Sequence, residues 1–337
     1  MAYTTIDNPE LYFQAKLYTG SGSIQAITLD GDEDMQPDLV IQKDRGNVRH
    51  HNVYDSVRGV KARLRTDATN AEYTADATNG FDSFDSDGFT LEADSSSLGT
   101  NEDTEDYVAW CWKESATAGF DIVQFTGNDT ARTISHNLSA VPGLIICKNP
   151  SEGAAEWPVY HHKNTTAPET ERLFLSGTQA TLDNATFFND TAPTTSVFSV
   201  GTSSDINGNT NSIISYVFAE KQGYSKFGSY AGNANANGVF IYTGFKPAFL
   251  ITKRTDGVAG WSVKNNKTDP ENPVDRALFA NATDAEATDQ YIIDFLSNGF
   301  KIRDSSAGVN GDGSTYIYMC FSEAPLVNSN GVPCNAR

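Results

Sequence analysis

At 337 residues the chain is too long for one ordinary hydrophobic core and suits two or three domains. Hydrophobic residues at 39% and aromatics at 11% supply packed interiors and exclude a disordered chain. A formal charge of -19 argues against binding to nucleic acid or to anionic lipid. No apolar run is long enough to span a membrane, and the first twenty or so residues lack the cationic-then-apolar pattern of a secretion signal.

An N-terminal arm over 1–12 leads into an aromatic strand with a Gly turn, "KLYTGSGS" at 16–23. "EDMQPDLVIQKD" at 33–44 then gives a proline and several consecutive apolar residues, as in a strand covered on both faces. "HHNVYD" at 50–55 reads as a further strand, and "RGVKARLRTD" at 58–67 as one short helix. After a Thr/Asn/Ala-rich stretch, "SDGFTLEAD" alternates as a strand with one wet face does. "YVAWCWKE" closes the series at Glu114.

The same series is then written twice more. "VQFTGNDT", "SAVPGLIICKN", "EWPVYH", "TSVFSVGTS" and "ISYVFAE" run to Glu220, and "FGSYAGNAN", "YTGFKPAFLITKR", "GWSVKN", "SNGFKIRDS" and "YIYMCFSE" run to Glu323. Pro37, Pro142 and Pro247 stand 105 residues apart each time, and the closing glutamates 106 and 103 apart. A period this long exceeds that of a solenoid repeat, so each copy is expected to be a whole domain with its own core. The segments are short, β-branched or aromatic, and bounded by Gly, Asn, Asp or Pro, which is strand chemistry. The expected fold is therefore all-β: three tandem duplicated β-sandwich domains of about 105 residues, over 13–118, 119–223 and 224–325, with a tail over 326–337. Short junctions imply domains that pack against each other.

Candidate chemistry is sparse. The histidine pairs His50/His51 and His161/His162 fall in one repeated segment, where the third copy has Lys264 and Asn265. Adjacent strand residues point to opposite faces, which favours polar strand ends over an acid–base or metal pair. Asp82, Asp85 and Asp87 sit in a wet turn that suits neither member of a glycosidase carboxyl pair. Asp205, Asn207 and Asn209 alternate as calcium ligands do, yet the glycine comes too early and no acid closes the loop; an Asn-Gly hairpin turn is the alternative. Cys111, Cys147 and Cys320 read as small buried hydrophobes, with Cys334 in the tail. No phosphate loop, zinc cluster or dinucleotide motif is present, so no cofactor and no enzyme are expected. Aromatics near turns remain as contacts for sugar or partner: Trp157, Tyr160, Tyr242 and Trp261.

"GFDIVQFTGNDTARTISHNLSAVPGLIICKN" followed by "WPVYHH", with "FFNDTAPTTSVFSVG" and "GYSKFGSYAGN", resembles a module of tailed-bacteriophage structural proteins of the marine and cyanophage type. His136, Leu138, Pro142 and Lys148 match that pattern; the third copy lacks the histidine, so no ligand role passes to His136. The resemblance spans about 12–337 and implies a lectin-like or jelly-roll-like sandwich in a tail-fibre-like virion protein. Partners would be other virion proteins and a host surface glycan, with trimeric assembly expected of fibres. A capsid decoration protein and a polysaccharide-degrading enzyme are the alternatives.

Overall fold

The computed structural model describes residues 2–74, 80–94 and 98–335. Of the expected features, part of the Thr/Asn/Ala-rich stretch of the first segment and the last two tail residues lie outside that range. Among the described residues the protein is nearly all β, with helices no longer than one turn, and no helix is long and apolar enough to cross a membrane.

Three large antiparallel sheets share one internal order. In the first, Phe13–Thr19 lies beside Asp106–Trp112, then Leu39–Asp44, Asn52–Asp55 and Leu64–Arg65. In the second the corresponding strands are Phe120–Thr126, Ser212–Phe218, Leu144–Lys148, Pro158–His161 and Glu171–Phe174, with Leu182–Asp183 added at the edge. The third runs Ser225–Ala231, Thr315–Pro325, Phe245–Arg254, Ser262–Asn265, Leu278–Phe279. A smaller sheet covers the outer face of each, and an apolar cluster fills the space between them.

The apolar runs make sense in this setting. Val40, Ile145 and Leu250 point outward into those clusters, while Leu39, Leu144 and Phe249 point inward, so each run is buried on both faces. Pro37 and Pro142 precede their strands, but Pro247 lies inside one, at a break in register that tolerates its missing N–H.

The inner faces of all three sheets meet in a single core. Phe13, Trp110 and Trp112 join Trp157 and Phe218 from the second segment and Phe249, Trp261 and Phe321 from the third. Rings from different segments touch directly: Trp112 and Phe249 at 5.4 Å, Phe218 and Phe321 at 5.9 Å. The largest core thus belongs to no single segment, because a two-layer sandwich whose inner sheet is apolar on both faces must cover the second face with something.

The contacts around this core run head to tail in a ring. Glu72 N donates to Pro150 O at 2.7 Å, Thr181 N to Thr255 O at 2.8 Å, and Glu286 N to Arg45 O at 2.8 Å, so backbone hydrogen bonds cross all three interfaces. Trp157 Nε1 reaches back to Arg65 O at 2.9 Å and Trp261 Nε1 to Phe174 O at 2.8 Å. The lysines that end the apolar runs are buried; Lys148 Nζ donates to Thr69 O at 3.0 Å and Lys253 Nζ to Thr178 O at 3.2 Å, again across interfaces. Lys43 instead bonds within its own segment, to Asn47 O at 3.0 Å. At that interface Arg45 grips Glu286 with both Nε and Nη2.

The expected helix at 58–67 does not form. Asp55 accepts from both Arg58 N at 2.8 Å and Arg58 Nε at 2.6 Å, closing a tight turn, and Leu64–Arg65 is a strand. Nor do the histidine pairs correspond. Leu39, Leu144 and Phe249 face Asp55, His161 and Asn265, so His51 occupies the position of Trp157 and Trp261.

Candidate ligand-binding crevice

Three of the four aromatics expected at the surface are interior. Trp157, Tyr160 and Trp261 are 1%, 4% and 5% exposed, so none can stack on a sugar. Trp157 and Trp261 face the shared core, and Tyr160 packs edge-on against Phe188 in the outer core of its segment. Residues alternating along this strand are buried on both faces, which the turn-proximal position in sequence conceals. Tyr242 differs: it is 53% exposed.

The calcium reading fails on geometry. Residues Ser204–Asn207 form a short helical turn, and the side chains of the three candidates part company. Asn207 is fully buried, accepting from Asn128 N and donating to Thr130 O and Gly201 O. Asp205 accepts from Glu156 N, whereas Asn209 is exposed and donates its backbone N–H to Asp129. Among the described residues no group of three or more His, Cys, Asp or Glu side chains is placed to hold a metal ion. Asp85 accepts from Ser83 and Thr90 hydroxyls and so fastens its own hairpin.

Tyr242 opens onto a crevice of about 380 Å³. It ends the strand Phe240–Tyr242 of the smaller sheet, and the chain passes through Thr243–Gly244 into Phe245–Arg254 of the large one. Gly244 has φ +84°, and a Cβ there would lie 2.6 Å from the Tyr3 hydroxyl, so both backbone and space require glycine. Tyr3 arrives on the N-terminal arm. That arm is held by Thr4, whose hydroxyl donates to Gln222 O at 2.7 Å, and by Ile6, which enters the shared core. Tyr3 Oη donates to Gly244 O at 2.7 Å and stands 3.2 Å from Tyr242 Oη. With the Tyr3 hydrogen committed, Tyr242 donates to Tyr3 and its own oxygen is left as an acceptor.

Glu220 and Lys226, from the junction of the second and third segments, also line the crevice. Glu220 accepts from Phe227 N at 2.8 Å and lies 3.3 Å from Lys226 Nζ and 3.6 Å from His162 Nε2. Burial alone would push its carboxyl up, but His162, the Phe227 N–H and Lys226 outweigh that and hold it below the usual range. Its counterparts differ. Glu114 is pushed up to about 7 by burial and by the neighbouring Asp121 carboxyl, while Glu323 bonds Lys246 at 2.6 Å and Asn266 at 2.7 Å. The crevice thus presents an ionised carboxylate, an ammonium and a half-exposed aromatic ring. Tyr3 and Glu220 carry no local signal in the sequence beyond an arm residue and a repeated strand ending.

A second space of about 50 Å³ lies at the centre of the ring, lined by apolar side chains with His51 and Thr66. It falls far below the roughly 300–1,000 Å³ of small-ligand sites.

A family model described as a domain of unknown function (DUF7483) matches residues 8–325. No curated protein matches the chain.

Proposed function

Because the chain belongs to the DUF7483 family, whose description assigns no role, its own residues must supply one, and we propose that it is a non-enzymatic structural protein of the bacteriophage particle surface. Its place is the tail fibre or fibre adaptor, where it aids attachment to the host and contacts other virion proteins. The reading draws on the resemblance of its repeated motifs to virion proteins. The observation that carries it is the closed ring: the inner apolar faces are consumed in one core, leaving polar loops and the Tyr242 crevice outward on a rigid body. Many copies of such a body on one particle add weak contacts into firm adhesion.

Immunogold labelling of intact virions with antibody to the purified chain tests this. Gold on the tail fibres is the expected result. Gold spread over the head would make the chain a decoration protein, and particles without gold would remove the virion reading altogether.

A further inference from the structure

We propose that the crevice between the N-terminal arm and the Tyr242 turn binds an uncharged saccharide. The inference rests on the attachment reading for the source of the sugar, a bacterial surface, and on geometry for the rest.

The size comes first. About 380 Å³ sits at the lower end of the roughly 300–1,000 Å³ range of small-ligand sites. The chemistry narrows the class. Glu220 is held ionised and Tyr242 Oη is left as an acceptor, while the Lys226 ammonium and the Gln222 amide have hydrogens to give, so the walls both take and offer hydrogen bonds, as a hydroxyl-rich ligand does. Glu220 and Lys226 pair with each other at 3.3 Å, so neither leaves an uncompensated charge for a phosphate or carboxylate ligand to answer. A molecule rich in hydroxyl donors and free of negative charge fits what remains. Tyr242 supplies the other half of sugar recognition: a half-exposed ring whose face can cover the C–H side of a pyranose while its oxygen takes a hydroxyl. Tyr3 locks that ring by hydrogen bond, so little side-chain freedom is lost on binding.

The site is composite. Tyr3 comes from the arm, Glu220 and Lys226 from the junction of the second and third segments, and Tyr242 from the third segment itself.

The full chain should be applied to an array of uncharged bacterial surface oligosaccharides, and the best sugar titrated by calorimetry. Binding is expected, weakened roughly tenfold or more by Tyr242→Ala. Tyr242→Phe, which keeps the ring, should lose less, and Glu220→Gln should weaken binding without unfolding the protein. Val258→Thr, on a distant exposed loop, should change nothing. No binding to any arrayed sugar, or binding that survives both Tyr242→Ala and Glu220→Gln, would overturn the site. Gold on virions without sugar binding removes the site and leaves the particle role; sugar binding without gold does the reverse.

Discussion

His161 has both ring nitrogens committed: Nε2 donates to Tyr318 O at 3.1 Å and Nδ1 accepts from Lys163 N at 3.1 Å. Only the neutral ring satisfies both, and burial pulls its pKa down to about 3. His51 is pulled down to about 4, again by burial. In the unfolded chain each takes a proton near 6.5, so the folded state binds fewer protons below that pH. Stability supplied by the neutral rings is therefore complete above pH 6.5 and is lost as the pH falls toward 4. Glu114, raised to about 7, acts in the opposite sense between its folded value and its ordinary 4.5, so the informative quantity is a difference between variants. His161→Asn installs the residue that the third segment already uses at this position, Asn265. Urea midpoints measured from pH 7 to pH 4.5 should fall less steeply for His161→Asn than for the parent. Equal slopes would show that His161 already carries its proton in the fold.

At the scale of the strand, the thrice-written apolar run was legible because burial on both faces leaves no polar position to break it. The all-β character followed from the same segments. Facing was less legible. In "EWPVYH" the inward Trp157 and Val159 and the outward Tyr160 are all apolar, and nothing in the string says that both sides are covered. The arginine-rich run at 58–67 looked helical by composition, yet Arg58 is drawn inward by Asp55 and Glu72, a pairing across fourteen residues invisible to local pattern. Tyr3, the arm residue of the crevice, was hidden because its partner Tyr242 lies 239 residues away. Register also exposes an exception: where the other two segments place an indole that donates to a neighbouring carbonyl, the first has the smaller His51, beside the central space of about 50 Å³. His51→Trp should fill that space and offer an indole N–H to the Phe279 backbone, raising stability by about 1 kcal/mol. A higher urea midpoint would bear this out; a drop of similar size would mean that the first segment has closed around its imidazole.

For the molecule as a whole, two of the ring's three interfaces are crossed by the chain and one is not. The N-terminal arm and the tail nonetheless meet, since Asp7 accepts from Ser329 N at 2.6 Å. Joining the termini with a short linker and reopening the chain between residues 118 and 119 should give a permutant with the parent's circular dichroism and a melting temperature within a few degrees. The second segment alone, 119–223, should not persist as a monomer, because Phe120, Trp157, Tyr216 and Phe218 would lie bare on its inner sheet. Light scattering distinguishes the outcomes, and a monodisperse, folded monomer would show that the shared core is dispensable. A ring closed within one chain has a further consequence. Three identical subunits must accept every substitution three times at once, whereas this chain can alter one station and leave the other two alone. Asp55, His161 and Asn265, at one equivalent position, are three solutions to the same local problem. The ring is therefore free to keep a uniform frame while its outward loops drift apart, each segment exploring new surfaces at its own pace.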